Sequence, residues 1–286
     1  MGEISTIGVV GSGQMGNGIA HVAATAGFNV KLTDISQAAL DKAKATIEKN
    51  LARMVKKERI SEGDANTALG RIQFSTETAS IADAQLIVEA ATENVDLKYK
   101  IFESLSGFAS PETILASNTS SISITSIASK VDRPENVMGM HFMNPVPVMK
   151  LVELIRGLQT SDETFNAVEA AAQKMGKTTI VARDVPGFLV NRILMPYLNE
   201  ACQALYEGIG TVEDIDTGMT LGTNVPMGPF TLADFIGLDT CLAICEVLYQ
   251  GLGDDKYAPS PLLRKYVEAG WLGRKTGRGF YVYNQD

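Results

Sequence analysis

Cysteine and histidine are both scarce in this chain of 286 residues, which has three cysteines and two histidines. A structural zinc site needs four such ligands at close spacing, and Cys202, Cys241 and Cys245 do not complete one. The odd cysteine count also gives no basis for a disulfide framework. We therefore predict buried thiols in a reducing compartment, no metal centre, and a fold that depends on its hydrophobic core.

Long apolar runs and an excess of basic charge are missing as well. No stretch of about 18 apolar residues occurs, and the N-terminus lacks the features of a secretion signal, so we expect a cytoplasmic protein outside the membrane. The chain carries 25 basic and 33 acidic residues, for a net charge of −8. Such a balance disfavours nucleic acid and anionic membranes as partners, because neither gains counterion release from an acidic surface. Any anionic ligand must be bound by a local feature.

The distribution of apolar residues predicts two domains. Buried strands are predicted at 4–10, 28–33, 86–89, 114–116 and 137–140, and they alternate with helices that include 36–58, 97–107 and 122–129. This alternation predicts an α/β domain over residues 1–185, with a doubly wound parallel sheet of the Rossmann type. Residues 186–286 are predicted to form an all-helical domain, with helices at 188–207, 211–221, 230–250 and 260–269 and a short strand or tail at 280–283.

A glycine-rich sequence, GSGQMG, begins at Gly11 between a predicted strand and a predicted helix. In this context the pattern is typical of dinucleotide binding, because Gly11 permits a tight turn, Gly13 leaves room for a pyrophosphate and Gly16 allows close helix packing. Gln14 and Met15 lie at the helix N-terminus, whose free amides and positive dipole end form a local anion site. The alternative is a glycine-rich turn with only a packing role.

Asp34 follows directly after the second predicted strand. In a dinucleotide site its carboxylate accepts hydrogen bonds from the adenosine ribose and repels a 2′-phosphate, which favours NAD over NADP. The alternative is a residue of the helix N-terminus, but Ser36 can serve as the N-cap instead. Lys31 lies within the strand and is a poor clamp for a 2′-phosphate.

Polar residues follow several predicted strands, at the edge where ligands bind in doubly wound sheets. They form the sequences ATEN from Ala91, SNTSS from Ser117 and HFMNP from His141. These sequences resemble those of the L-3-hydroxyacyl-CoA dehydrogenase family. The resemblance also includes GSGQMG, the dipeptide Val152-Glu153 and the sequence DVPGFLVNR from Asp184. The resemblance covers nearly the whole chain and includes short-chain bacterial 3-hydroxybutyryl-CoA dehydrogenases.

The resemblance implies a reaction and four catalytic residues. The expected reaction interconverts (S)-3-hydroxyacyl-CoA, with 3-hydroxybutyryl-CoA foremost, and 3-oxoacyl-CoA by hydride transfer with NAD(H). His141 is implied as the general acid or base, because histidine can take and give a proton near neutrality, and Glu153 as the carboxylate that orients it. Ser120 and Asn191 are implied to hydrogen-bond the substrate oxygen. Asn191 lies beyond the domain boundary, so a site between the domains is expected.

Further ligand contacts are implied by the same resemblance. Those with the nicotinamide half of the cofactor are Glu93, Lys98, Ser120, Asn144 and Lys275. Contacts with CoA are implied at Asn50 and Lys57 of the helix 36–58, with Arg53 on the same face, and at Ser120. The alternatives are an ordinary charged helix face and, for Lys275, a solvated basic cluster.

Simpler structural interpretations exist for several of these residues. His141, taken alone, is compatible with a core histidine, and that interpretation is kept for His21. Glu153 is compatible with an exposed carboxylate, but it interrupts an apolar run, which favours a paired role.

Two other functions share this fold. One belongs to the 2-hydroxyacid or β-hydroxyacid dehydrogenase group, which uses a lysine where positions 192–195 of this chain read RILM. The other is a non-catalytic NAD-binding protein, which would not need the set Ser120, His141, Glu153 and Asn191. Independently of these alternatives, the apolar helices of the C-terminal domain are predicted to form a homodimer interface.

Overall fold

A computed structural model describes residues 3–283 of the chain. The chain divides into two compact units, of which the first ends at Asp184 and the second begins at Val185. Within the described range, no helix combines the length and the apolar character that crossing a bilayer requires.

A single sheet forms the centre of the first unit. Its strands are β1 (Thr6–Val10), β2 (Asn29–Thr33), β3 (Ile72–Ser75), β4 (Leu86–Glu89), β5 (Ile114–Ser117), β6 (Val137–Phe142), β7 (Leu151–Arg156) and β8 (Thr178–Arg183). Their order is β3-β2-β1-β4-β5-β6-β7-β8, in which β1 to β6 run parallel and β7 and β8 run in the opposite direction. The first six strands have the order of doubly wound dinucleotide-binding folds, which confirms the predicted fold class.

Helices connect most of these strands. They are α1 (Gln14–Thr25), α2 (Gln37–Lys56), α3 (Glu62–Gly70), α4 (Val95–Phe108), α5 (Ile124–Ala128) and α6 (Asp162–Lys174). Helix α2 begins where predicted, because the Ser36 side chain accepts a hydrogen bond from the amide of Ala39 at 3.3 Å. The elements α3, β3, β7, α6 and β8 have no counterpart among the predicted ones.

The central strands are apolar because both faces of the sheet are covered. Every residue of β4 and β5 is buried, as parallel strands between two helical layers require. The last residues of these strands, Glu89 and Ser117, are polar groups in the interior of the sheet. They need hydrogen-bond partners there.

The second unit is built from helices, namely α7 (Val190–Tyr206), α8 (Val212–Thr223), α9 (Pro229–Ile236), α10 (Leu238–Leu252) and α11 (Pro261–Glu268). The prediction of one continuous helix over 230–250 is wrong. Gly237 has a φ of 105°, which is accessible to glycine but not to helical residues, and it separates α9 from α10. Residues 280–283 form a tail, in which the amides of Phe280 and Tyr281 each donate to Asp234 at 3.0 Å.

The three cysteines are free and buried, as expected. Burial, with smaller contributions from neighbouring groups, raises the pKa of Cys202 to about 12. A thiol with such a pKa stays protonated at neutral pH and is a poor nucleophile.

A buried histidine on α1 lies near a buried lysine. His21 is 2% exposed, and its Nδ1 atom has no hydrogen-bond partner among the described residues. Burial and, to a smaller extent, the charge of Lys177 lower the pKa of His21 from 6.5 to about 4. His21 is therefore a neutral core residue at neutral pH.

The stability of the first unit should consequently fall between about pH 6.5 and about pH 4. In this window the unfolded chain binds a proton at His21 that the folded protein excludes, so acidification favours unfolding. From about pH 7 to about pH 5, this contribution amounts to about 2 kcal/mol. Urea unfolding of the wild type and of His21→Met at both pH values measures this contribution. On acidification, the free energy of unfolding should fall less in His21→Met than in the wild type, and the difference should equal this amount. Equal losses in the two proteins would contradict the assignment.

Candidate active site

The three glycines of the sequence GSGQMG, which spans the loop after β1 and the start of α1, have different steric surroundings. A Cβ at Gly11, whose φ is 94°, would lie 2.8 Å from the Ala90 carbonyl oxygen, and a Cβ at Gly16 would lie 1.7 Å from the Gly11 carbonyl oxygen. Both positions therefore require glycine. At Gly13, the N-cap of α1, an added Cβ would have no heavy atom within 4 Å among the described residues, apart from those of its chain neighbours. This open space lies at the start of α1, where free amide groups are suited to bind a phosphate.

Asp34 is hydrogen-bonded to the same loop. Its Oδ2 accepts from the amide and the hydroxyl of Ser12, both at 2.8 Å, and its Oδ1 accepts from the amide of Ser36 at 3.0 Å. Partial burial alone would raise the pKa of Asp34, but these hydrogen bonds outweigh burial and lower the pKa. Asp34 is thus an anion at neutral pH, and it lines a cavity of about 450 Å³ together with Gly11 and Gly13.

His141 and Glu153 lie directly opposite each other in the antiparallel pair of β6 and β7. The Nδ1 atom of His141 is 2.8 Å from Oε2 of Glu153, and the two residues are 5% and 0% exposed. Because a carboxylate only accepts hydrogen bonds, Nδ1 carries the hydrogen, and the neutral ring keeps a lone pair on Nε2. Strand pairing thus brings together the two residues that the sequence places twelve positions apart.

Ser120 lies on the opposite side of the same imidazole, with its Oγ 3.1 Å from Nε2 of His141. The loop after β5 that carries Ser120 is held at two points. Asn118 Oδ1 accepts a hydrogen bond from the amide of Phe142 at 2.8 Å, and Glu93 accepts one from the amide of Ser120 at 3.0 Å. These bonds fix the loop relative to β6 and keep the serine hydroxyl at the ring.

Glu93 and Lys98 belong to a network of charges that supports this loop. Glu93 also accepts from the hydroxyls of Thr119 and Ser121, at 2.5 and 2.9 Å. The Nζ atom of Lys98 lies 3.4 Å from Glu93 and donates to both carboxylate oxygens of Glu89, at 2.7 and 2.9 Å. Burial alone would raise the pKa of Glu93, but the charge of Lys98 and the donated hydrogen bonds lower it.

Glu89 is a residue of this network that the sequence analysis missed. It is 0% exposed and also accepts from the Ser117 hydroxyl and the Ala91 amide, both at 2.7 Å. A signal was available, because Glu89 ends an apolar run in the same way that Glu153 interrupts one. Lys98 is 1% exposed, so its direct contact with a cofactor stays a prediction.

Asn144 lies in the connection between β6 and β7. Its Oδ1 accepts a hydrogen bond from Nε2 of Gln14 at 3.0 Å, which links this connection to the start of α1. Met15 is partly buried and packs against the core. Gln14 and Asn144 line a cavity of about 540 Å³ with Gly13 and with Asn50 of α2. Asn50, which is expected to contact CoA, thus lines the same cavity as Gly13, Gln14 and Asn144, which are expected to contact the cofactor.

The remaining predicted residues have simpler surroundings. Arg53 and Lys57 are exposed at the end of α2. Asn191 is half-buried in the first turn of α7, in the second unit. Lys275 of that unit forms an ion pair with Asp239, at 2.5 and 2.7 Å. The roles assigned to these four residues stay predictions.

Comparisons with known proteins agree along the whole chain. A family model described as 3-hydroxyacyl-CoA dehydrogenase, NAD binding domain, matches residues 6–185, and one for the C-terminal domain of the same family matches residues 187–283. A 3-hydroxybutyryl-CoA dehydrogenase of Bradyrhizobium diazoefficiens is 57% identical over 280 residues, which are 98% of this chain and 96% of that protein. A probable 3-hydroxybutyryl-CoA dehydrogenase of Bacillus subtilis is 53% identical over 283 residues, 99% of each chain.

A solved structure gives the same result. The crystal structure of (S)-3-hydroxybutyryl-CoA dehydrogenase from Ralstonia eutropha matches with a TM-score of 0.96 and 54% identity, over 99% of this chain and 100% of that one. The family models alone cover more than half of the chain. The chain therefore belongs to the 3-hydroxyacyl-CoA dehydrogenase family, and its first part is the NAD-binding domain of that family.

Proposed function

We propose that this protein interconverts (S)-3-hydroxybutyryl-CoA and acetoacetyl-CoA with NAD(H). The observation that carries the proposal is the hydrogen-bonded series of Ser120, His141 and Glu153 in the same unit as the glycine loop. A relative at 57% identity and a solved structure at 54% carry the name 3-hydroxybutyryl-CoA dehydrogenase, which supports the four-carbon substrate.

His141 is the group that moves the proton in this proposal. Its Nε2 atom accepts the proton of the substrate hydroxyl during oxidation and returns it during reduction. Glu153 holds the hydrogen on Nδ1, which keeps the lone pair on Nε2, and it stabilises the imidazolium that forms. Ser120, 3.1 Å from Nε2, hydrogen-bonds the substrate oxygen together with Asn191.

The residues of the first unit fit NAD. The open space at Gly13 and the start of α1 suit a pyrophosphate, and the ionised Asp34 suits a ribose diol and disfavours a 2′-phosphate. Bound NAD supplies the hydride acceptor, and NADH the hydride donor. The further contacts proposed for the cofactor are Gln14, Met15, Glu93, Lys98, Ser120, Asn144 and Lys275.

CoA is proposed to bind against α2. Asn50 lines the cavity of about 540 Å³. The exposed side chains of Arg53 and Lys57 offer positive charge to the phosphates of CoA.

We assign residues 1–185 to NAD binding and residues 186–286 to substrate binding and dimerisation. We also propose that the protein is a cytoplasmic homodimer.

Acetoacetyl-CoA and free acetoacetate together test the proposed reaction. The protein should oxidise NADH in the presence of acetoacetyl-CoA and not in the presence of free acetoacetate, because the proposed contacts on α2 recognise CoA. Absorbance of NADH measures both rates. Turnover of the free acid would favour another β-hydroxyacid dehydrogenase, and NADH binding without turnover of either compound would favour a non-catalytic protein.

Removing the imidazole should abolish most of the turnover. His141→Ala is expected to lower kcat by about 10²–10⁴-fold, the contribution of one general acid–base group, while NADH still binds. Glu153→Gln should also lower kcat, because its amide can present NH₂ to the ring and favour the wrong tautomer. His21→Met, which replaces the other histidine, is the matched control and should retain kcat. Near-normal kcat in His141→Ala would remove His141 from its role.

Cofactor choice should depend on Asp34. Asp34→Ala is expected to weaken NAD binding more than NADP binding, because it removes both a ribose acceptor and a charge that repels the 2′-phosphate. Loss of the bonds to Ser12 affects both cofactors alike, so the ratio of the two dissociation constants is the measurement that matters. Asp41→Ala, an exposed position of α2, is the control. An unchanged ratio in Asp34→Ala would exclude Asp34 as the ribose acceptor.

A further inference from the structure

A buried lysine holds the connection between β6 and β7 at two points. This connection, residues 143–150, carries Asn144 and is called the Asn144 loop below. The Nζ atom of Lys177 donates hydrogen bonds to the carbonyl oxygens of Val146, at 2.6 Å, and Met149, at 2.8 Å. Because both acceptors belong to the main chain, these bonds fix the path of the loop.

Lys177 is itself held in place by the elements on either side of it. It lies between α6 and β8, and its amide donates to the Ala172 carbonyl at 3.1 Å. The amide of the next residue, Thr178, donates to the Lys150 carbonyl at 2.8 Å. Lys177 is 8% exposed, so its ammonium group depends on acceptors from the protein. Bonds between a charged donor and such acceptors are stronger than neutral ones.

Helix α1 contacts the Asn144 loop from another direction. Val146 is 1% exposed and packs against Gly18, where an added Cβ would lie 2.8 Å from the Val146 Cβ. Asn144 accepts the hydrogen bond from Gln14, in the first turn of α1. The loop is therefore held between Lys177 and the helix that begins at the glycine loop. A shift of the Val146 backbone would carry Asn144 away from Gln14.

We propose that Lys177 is a positioning residue for cofactor binding, which acts through the Asn144 loop. This inference rests on the proposed function, in which Asn144 contacts the nicotinamide half of the cofactor. His141 and Glu153 lie outside the loop and are held by the antiparallel pairing of β6 with β7. Loss of Lys177 should therefore weaken NADH binding much more than it slows proton transfer.

Lys177→Met tests the proposal, because methionine has a similar length and lacks the donors. We expect the Kd and the KM for NADH to rise about tenfold, which corresponds to about 1.4 kcal/mol. The kcat should stay within about twofold of the wild type, as expected for a change in binding alone. Lys150→Met removes an exposed lysine of the same loop and is the matched control, with no change expected.

Coupling to Asn144 separates positioning from a purely structural role. Asn144→Ala should raise the Kd for NADH, and adding Lys177→Met should raise it little further, because both changes remove the same contact. Fully additive effects would overturn the proposal. So would a lower thermal midpoint with an unchanged Kd, or a lower kcat with an unchanged Kd.

If Lys177→Met does not fold, Gly18→Ala tests the same loop from the side of α1. Its added methyl group must displace Val146, so the Kd for NADH should rise in the same direction. An unchanged Kd in a folded Gly18→Ala protein would then overturn the proposal. Fluorescence titration measures the Kd for NADH without substrate. Absence of acetoacetyl-CoA turnover would therefore count against the proposed function and not against the role of Lys177.

Discussion

The hydrogen bond between His141 and Glu153 depends on a reversal of strand direction in the sheet. β6 runs parallel to β5, whereas β7 runs antiparallel to β6. Antiparallel strands can be joined by a short hairpin, so residues only twelve positions apart can lie opposite each other. Parallel strands need a crossover connection that is itself a dozen or more residues long. A continued parallel order would separate the imidazole from its carboxylate. The hairpin therefore interrupts the regular sheet at the point where the proposed proton transfer needs both groups.

Buried charge at the ends of β4 and β5 is stable because each charged group has several partners. Glu89 meets Lys98 and the donors of Ser117 and Ala91, while Lys98 lies between Glu89 and Glu93. An uncompensated buried carboxylate would cost several kcal/mol, so the pairing and the hydrogen bonds must be complete. The network joins the ends of β4 and β5 to the loop that carries Ser120. In a chain with a net charge of −8, the network thus supports the candidate active site through local ion pairs and hydrogen bonds.

The sequence predicted those parts of the site that depend on consecutive residues. The glycine loop, Asp34 directly after its strand and the N-cap Ser36 each need only a short segment, and the structure has these local arrangements. Long-range partners were missed unless the family resemblance implied them, as it did for His141 and Glu153. Glu89 is recognised as the partner of Lys98 only once α4 lies against the end of β4, and the pairing of β7 with β6 is equally non-local. The break at Gly237 depends on a backbone angle that an apolar helical pattern does not reveal.

The electrostatic influence of Lys177 on His21 shows why a neutral residue suits position 21. A carboxylate there would attract the ammonium group in competition with the carbonyl oxygens of the Asn144 loop. A second permanent cation would add repulsion in a region of low dielectric constant. His21 avoids both effects, because burial lowers its pKa to about 4 and keeps it uncharged at neutral pH. The charge of Lys177 is then free to act on the backbone of the loop.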